Sequence, residues 1–212
     1  MSKVIYEGDF IFFDPSPLVR KGLQTLIDPA YTRTFNFQHL KEIGVALDSN
    51  EKQTVIMELY SHSENLYDVI QFILTARVFW PEAAFVIFTD ITHPGILAIL
   101  AMEPHLSLVS KRDALDCLPT AISAARDMQG YRSPSIQSQL PLGEPIQPLS
   151  HSEWRILALM TGGADPQRIA QVTQRSYKTV STHKLNIMRK LQLNQADFMR
   201  LILVFRTRYT PL

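Results

Sequence analysis

RSYKTVSTHKLNIMRKL, residues 175–191, has the period of a single amphipathic helix. Its apolar side chains Val180, Ile187, Met188 and Leu191 recur at helical spacing on one side. The polar residues of the stretch are cations or neutral hydrogen-bonding groups, and no acid occurs among them. Such a face suits a polyanion, although the solvated face of a helix bundle has the same composition.

Helix-capping residues predict four short helices over residues 149–212. The capping residues are Ser150 with Glu153 three positions later, Asp165 with Pro166, Ser176, and Asn194 with Asp197. A short helix, a tight turn and a basic second helix form the helix-turn-helix pattern. The second helix of this pattern fits the DNA major groove, where neutral polar side chains meet base edges and cations meet phosphates.

The run from Leu149 to Leu193 resembles the DNA-binding domain of the LuxR/FixJ/NarL family. The residues that carry the resemblance are Leu149, Glu153, Leu157, Gly163, Ile169, Ala170, KTVSTH at 178–183 and RKL at 189–191. The resemblance implies DNA contacts from Lys178, Thr179, Ser181, Thr182, Lys184 and Asn186. The chemistry of the helix adds His183, which lies near enough to the helix start to reach bases, and the cations Arg189 and Lys190, which attract phosphates. It also implies dimerisation through the last helix, for which the candidates are Phe198, Leu201, Ile202 and Phe205, unless they pack within the module. The chain departs from the family at Gln174-Arg175, where a glycine followed by an aliphatic residue is common.

Charge divides the chain into two parts. Residues 1–148 carry 11 Lys and Arg against 17 Asp and Glu, whereas residues 149–212 carry 10 against 3. This asymmetry indicates a polyanion-binding module joined to a module with another role, although surface charge also varies by chance. Residues 130–148 hold four prolines without an apolar period. We therefore predict a semi-extended linker at 130–148 between domains at 1–129 and 149–212.

Composition excludes several functional classes. Cys117 is the single cysteine, which rules out an internal disulfide and suits a reducing compartment. The start of the chain lacks a signal pattern, and no apolar run approaches the length of a membrane span, so we expect a cytoplasmic protein without a membrane segment. The histidines lack metal-ligand spacing and no phosphate-binding glycine loop occurs. We expect no metal, no cofactor, no small-molecule ligand and no enzymatic activity.

Residues 8–129 alternate short apolar runs with helix-like stretches, which predicts a doubly wound α/β domain. The runs FIFF, TVIM, AFVIF and LSLVS read as buried parallel strands, and they end in Asp14, Glu58, Thr89 and Lys111. Helices are predicted after Ser16, at about 66–79 and at about 117–128. Sites in such sheets form at the carboxyl ends of the strands. The four polar residues therefore predict either a metal–phosphate site or a buried polar network.

The order and spacing of these residues resemble the flavodoxin-like receiver domain of response regulators. DPSPLVRKGLQTL at 14–26 is similar to the start of that family. The resemblance places Glu58 at the phosphate-accepting aspartate, Thr89 at the switch threonine and Lys111 at the phosphate-pairing lysine. Pro15 replaces the second acid of the Mg²⁺-binding pair, and Leu108 replaces the aromatic switch residue. These departures predict a degenerate phosphorylation site without phosphoryl transfer.

The sequence allows two roles for the Glu58 carboxylate. Its carboxylate reaches toward Lys111 as a phosphate would, which would fix the domain in an active-like state. Alternatively, Glu58 makes only a structural ion pair with Lys111.

Three stretches resemble the Rcs capsule-synthesis regulators and their auxiliary proteins: ITHPGILAIL at 91–100, KRDALDCLPTAI at 111–122 and RSYKTVSTHK at 175–184. The resemblance implies a bacterial transcription regulator that binds promoter DNA as a dimer through the helix at 177–191, independently of phosphorylation. The partner is either a second copy or a related response regulator. The alternative is an auxiliary regulator that acts by forming a heterodimer with a full response regulator, its DNA contacts being secondary.

Overall fold

The structure, a computed structural model, describes residues 8–27, 32–49, 52–140 and 146–206. The described residues form two compact units, one of residues 8–91 and 103–138 and one of residues 92–102 and 139–206. The boundaries at 129 and 149 predicted from the sequence stay predictions, because these units are groups of packed residues rather than successive segments. Within the described ranges, every helix is too short or too polar to cross a membrane.

A five-stranded parallel sheet forms the centre of the first unit, in the order β2-β1-β3-β4-β5. The strands are β1 (Asp9–Phe13), β2 (Thr34–Asn36), β3 (Gln53–Met57), β4 (Ala84–Thr89) and β5 (Ser107–Ser110). All residues of β1, β3, β4 and β5 are buried. This order is that of flavodoxin-like doubly wound sheets, which confirms the predicted fold class.

Helices cover both faces of this sheet. Those of the first unit are α1 (Pro17–Leu26), α2 (Leu40–Ser49), α3 (Leu66–Phe79), α5 (Cys117–Arg126) and α6 (Pro134–Gln139), whereas α4 (Pro94–Ala101) belongs to the second unit. Phe10 and Phe12 pack with Leu23 of α1 and Ile122 of α5. On the other face, the ring of Phe85 meets that of Phe72 in α3, with centroids 6.4 Å apart.

The second unit is entirely helical and contains, besides α4, the helices α7 (His151–Thr161), α8 (Pro166–Thr173), α9 (Tyr177–Lys190) and α10 (Gln195–Arg206). Each of the capping predictions for α7, α8 and α9 is confirmed. The hydroxyl of Ser150 and the carboxylate of Glu153 form a capping box, and Asp165 and Ser176 accept hydrogen bonds from the first turns of α8 and α9. The predicted four-helix module is thus present, and α4 packs against its last helix.

The segment predicted as a semi-extended linker, 130–148, contains a helix, and the prediction is wrong for α6. Pro134 is the first residue of α6. At that position the missing N–H of proline costs nothing and its fixed φ favours a helix. Ile136 of this helix is buried, which gives the short helix an apolar anchor within the first unit.

The chain between α5 and α6 lies along the outer side of β5. The amide of Leu108 donates to the carbonyl of Tyr131 at 2.7 Å, and the amide of Ser133 donates to the carbonyl of Leu108 at 3.0 Å. The amide of Ser110 donates to the Ser133 hydroxyl at 3.0 Å. Residues 131–133 therefore occupy part of an edge that the five strands alone leave unpaired.

Candidate functional site

The four polar residues predicted at the strand ends come together at one edge of the sheet. Lys111 Nζ lies 2.7 Å from Asp14 Oδ2 and 2.7 Å from Glu58 Oε2. The hydroxyl of Thr89 donates to Glu58 Oε1 at 2.5 Å, and the amide of Leu59 donates to the same oxygen at 2.6 Å. Both oxygens of Glu58 are therefore engaged by donors of the protein itself. We name Asp14, Glu58, Thr89 and Lys111 the strand-end cluster.

Burial sets the electrostatics of the strand-end cluster. The side chains of Asp14 and Glu58 are 2% and 3% exposed, and that of Lys111 is 13% exposed. Burial raises the pKa of the Glu58 carboxyl, although Lys111, Thr89 and the Leu59 amide offset part of this rise. Burial also disfavours the Lys111 ammonium, but the carboxylates of Glu58 and Asp14 outweigh it and raise the pKa of Lys111. The Lys111 side chain is therefore charged at neutral pH, because two carboxylates lie within 2.7 Å of its ammonium.

The Mg²⁺ that the receiver resemblance implies does not fit these residues. Asp14 Oδ1 accepts from the Ser16 amide at 2.8 Å, and Asp14 Oδ2 accepts from Lys111. Pro15 offers no side-chain ligand, and the two carboxylates that remain, Asp14 and Glu58, are already bonded within the protein where a magnesium site needs free oxygen ligands. Within the described part of the chain, no three His, Cys, Asp or Glu side chains are grouped to hold a metal.

The turn between α8 and α9 sets the position of the predicted DNA-reading helix. α8 ends at Gln174, which has a left-handed conformation with φ 53°. This is the position where the LuxR-type pattern commonly has glycine, and a non-glycine residue adopts this conformation at an energetic cost. Ser176 then caps α9, which packs on both α8 and α7, and Ile169 of α8 and Val180 and Ile187 of α9 are buried.

α9 has an exposed stripe opposite its buried face. At 3.6 residues per turn, four exposed residues fall within about 60° of one another, and they are Lys178, Thr182, Leu185 and Arg189. Val180 and Ile187 lie on the opposite side, with none of their surface exposed. The helix contains no Asp or Glu. We call Lys178, Thr182, Leu185 and Arg189 the outer stripe.

Five of the nine residues predicted to contact DNA lie on or beside the outer stripe. Lys178, Thr182 and Arg189 belong to it, and Ser181 and Asn186 flank it, half-buried. An extended surface that met the stripe from outside would reach all five.

Thr179 and His183 lie further round the helix and bond within the protein. The hydroxyl of Thr179 lies 2.8 Å from that of Ser176, the N-cap of α9. His183 Nε2 lies 2.7 Å from a guanidinium nitrogen of Arg175. Arg175 also donates to the Ser152 hydroxyl at 3.0 Å, so the departure from the family pattern at this turn creates a polar link between α7 and α9.

Lys184 and Lys190 are engaged by neighbouring helices. Lys184 Nζ lies 5.5 Å from the ring centre of Phe198 in α10. Lys190 Nζ lies 2.7 Å from Glu153 Oε2 in α7 and also donates to the Pro148 carbonyl at 3.0 Å. The prediction that these lysines attract DNA phosphates stays a prediction, and their contacts give them a role within the module.

Comparison with known families agrees with this geometry. Residues 147–198 match the family described as bacterial regulatory proteins, luxR family. The C-terminal module is a LuxR-family helix-turn-helix domain. Because that family consists of regulatory proteins, the match agrees with the expectation that the chain is not an enzyme.

One curated relative extends the comparison. The transcriptional regulatory protein RcsA of Pantoea stewartii subsp. stewartii is 32% identical over 112 residues. The match spans 53% of this chain and 52% of that protein, so it covers about half the length of the relative.

Solved structures of RcsB share the fold of both the receiver-like unit and the LuxR-family domain. RcsB from Salmonella enterica serovar Typhimurium, bound to promoter P1flhDC with the phosphomimetic BeF3⁻, has a TM-score of 0.63 at 23% identity, covering 94% of this chain and 98% of that one. A structure of two RcsB dimers bound to two parallel DNAs has a TM-score of 0.61 at 24% identity, covering 95% and 100%. The isolated receiver domain of Salmonella RcsB matches with a TM-score of 0.51 at 20% identity, covering 64% and 100%.

The residues predicted for dimerisation are buried in the structure. Phe198, Leu201, Ile202 and Phe205 of α10 are each at most 6% exposed. These four positions recur at helical spacing because they form the core-facing side of α10, which packs on α7 and α4. The prediction that they form a pairing surface is therefore corrected, since the exposed apolar residues of α10 are Met199 and Leu203.

Leu185 and Tyr177 of the LuxR-family domain were missed by the sequence analysis. Leu185 is 62% exposed on the outer stripe, and Tyr177 is 58% exposed at the start of α9. The exposure of Leu185 could have been predicted from the sequence, because a residue two positions before the inward-facing Ile187 lies on a different side of the helix.

Glu153 ties the start of α7 to the end of α9. It is 3% exposed, accepts from the Ser150 amide at 2.6 Å and pairs with Lys190. Burial opposes the ionised form, but the bonds from Lys190 and Ser150 outweigh burial, so the pKa of Glu153 lies below its usual range. A carboxylate of this kind contributes stability above its unfolded pKa and loses it as the pH falls through its folded pKa.

We expect Glu153→Gln to lower the free energy of unfolding of the LuxR-family domain by about 2 kcal/mol at pH 7. The difference from the wild type shrinks as the pH falls below about 4.3, the ordinary pKa of a glutamate, because the unfolded state then binds the proton before the folded state does. Urea unfolding in a Trp80→Phe background, where Trp154 is the only tryptophan and lies in α7, measures both values by fluorescence at pH 7 and pH 3.5. The exposed Glu82→Gln serves as the control, and an equal difference at the two pH values would contradict the linkage.

Proposed function

We propose that this chain is a cytoplasmic bacterial transcription regulator that binds promoter DNA as a dimer through α9. The observation that carries the proposal is the outer stripe, an exposed, acid-free face on the second helix of a LuxR-family helix-turn-helix. Lys178 and Arg189 supply attraction to phosphates at its two ends, and Thr182, Ser181 and Asn186 supply hydrogen-bonding groups for base edges. The excess of cations in residues 149–212 and the DNA-bound RcsB structures support the same function.

Selection of genomic DNA fragments by the purified chain tests this function. We expect enrichment of an imperfect inverted repeat at near-physiological salt, with half-sites about one helical turn apart. A Lys178→Glu variant should enrich nothing, whereas Lys41→Glu, an exposed change in α2, should enrich the same sites. Salt-sensitive binding without a preferred sequence would favour the alternative, a heterodimer with a response regulator of the Rcs type that selects the site.

We also propose that the regulator works without phosphoryl transfer. Glu58 already fills the position of a phosphate acceptor and binds Thr89 and Lys111, the two groups that the receiver resemblance assigns to the phosphate. The missing magnesium ligands support the same proposal, because transfer from a small phosphodonor depends on a cation that neutralises the developing charge.

Incubation with acetyl phosphate and Mg²⁺ is therefore expected to leave the mass of the protein unchanged. Intact-protein mass spectrometry makes the measurement, and a Glu58→Asp variant treated in parallel shows whether restoring the shorter side chain is enough to restore transfer. A phosphorylated wild-type species that Glu58→Gln abolishes would contradict the proposal.

A further inference from the structure

Leu185 is the only apolar member of the outer stripe. Its side chain is 62% exposed, between Thr182 one turn before it and Arg189 one turn after it. A single exposed leucine is ordinary on a protein surface. Its position, at the centre of a stripe whose other members are polar, is what requires an explanation.

The geometry of α9 determines what can cover Leu185. Lys178 and Arg189 lie about 16 Å apart along the helix axis, and Leu185 lies between them on the same side. Ile187, with none of its surface exposed, fixes the inward side of this part of the helix. A ligand that contacts both Lys178 and Arg189 from outside therefore also covers Leu185. If the proposed function is correct, that ligand is the major groove of DNA.

The major groove offers one apolar group on its unmodified base edges, the C5-methyl of thymine. The other exposed groups are hydrogen-bond donors and acceptors, and a leucine pressed against them would leave them without water or a partner. Such a loss disfavours guanine, adenine or cytosine edges at this position. A thymine methyl, in contrast, loses water against Leu185 at a gain in free energy.

We propose that Leu185 is a specificity-determining residue that packs on the C5-methyl group of a thymine in each half-site. This assignment rests on the proposed function, because it needs α9 in the major groove. It predicts that the selected DNA sequence has an invariant thymine opposite the centre of α9. It also predicts that the preference comes from the methyl group rather than from hydrogen bonds.

Replacement of thymine by deoxyuridine removes this methyl group and leaves the hydrogen-bonding edge unchanged. We would substitute deoxyuridine at each thymine of the selected half-site in turn and measure affinity by fluorescence anisotropy. At one position the wild-type chain should lose about fourfold in affinity per half-site. Leu185→Ala should bind the thymine and deoxyuridine forms of that position equally, and Leu115→Ala, a matched change at an exposed leucine outside α9, should behave as the wild type.

The outcomes separate this proposal from the proposed function. If the wild type selects a sequence but no deoxyuridine substitution weakens binding, the assignment of Leu185 is wrong and DNA binding stands. The same holds if Leu185→Ala keeps the full deoxyuridine penalty at that position, since another residue then contacts the methyl. If no sequence is selected at all, the proposed function fails, and the role of Leu185 fails with it.

Discussion

Replacing Lys111 with methionine is expected to lower the free energy of unfolding of the receiver-like unit by about 3–5 kcal/mol. Methionine keeps most of the volume but takes from Asp14 and Glu58, two buried carboxylates, the cation that both of them share. Removing one ion of a buried ion pair lowers the free energy of unfolding by far more than the intact pair contributes, because the remaining charge is buried away from water without its partner. The expected loss is a large share of the stability of an ordinary domain.

Urea unfolding in a Trp154→Phe background measures this loss, because Trp80 is then the only tryptophan and lies in the receiver-like unit. Lys21→Met, an exposed lysine of α1, is the matched control and should change stability by less than about 0.5 kcal/mol. The loss of stability in Lys111→Met should become smaller in acid. Burial raises the pKa of Glu58, and the protonated carboxyl can stay buried without a cation at little cost in free energy. Equal stabilities of Lys111→Met and Lys21→Met would show that the cluster is not charged in the folded protein.

A Glu58→Gln variant separates the two interpretations of that residue. The amide keeps the size of the carboxylate and removes its charge. If Glu58 stands in for a phosphate, DNA affinity should fall while the LuxR-family domain stays folded. If Glu58 is only one partner of an ion pair, the receiver-like unit should lose stability and DNA affinity should stay unchanged.

Lys178→Glu is expected to reduce affinity for the selected DNA by about a hundredfold or more. The change removes one phosphate or base contact from each protomer and adds a negative charge next to the DNA backbone. Folding should survive, because Lys178 is exposed and an acid in the first turn of a helix interacts favourably with the helix dipole. A loss of binding can therefore be assigned to the interface.

Anisotropy titrations at two salt concentrations make this measurement. The slope of log affinity against log salt should fall by about one for each protomer in the variant, since one fewer phosphate is neutralised. Lys41→Glu changes the net charge by the same amount at an exposed site of α2, and it should leave the slope unchanged. Wild-type affinity in Lys178→Glu would place the DNA contact elsewhere on the protein.

The elements that the sequence predicted share strong local signals. Buried parallel strands appeared as continuous apolar runs, and α3 has the predicted bounds, Leu66–Phe79. The strand β2 was missed because it has three residues, none of them buried. The helix α4 was missed because nearly all its residues are apolar, so it has no amphipathic period. α2 has an amphipathic pattern that the sequence analysis did not use.

The strand-end cluster was predictable because parallel strands bring their carboxyl ends to one edge. The pairing of Glu58 with Lys111 followed from the sequence, but that Lys111 would also bind Asp14 could not be predicted, because it depends on side-chain positions across three strands. The periodicity of α9 likewise predicted its buried side but not the partners of Lys184 and Lys190. Long basic side chains reach neighbouring helices, and only the packing of α7 and α10 shows which of them are already engaged.

The short pairing of residues 131–133 with β5 has a consequence for how the receiver-like unit behaves alone. An uncovered outermost strand is a template for joining a second molecule, and proteins commonly block such strands. A fragment cut after residue 129 would lose this block and could self-associate edge to edge through β5. A fragment extended through Gln139 keeps both residues 131–133 and α6, so the outer edge of β5 stays covered and is not available to pair with a second molecule.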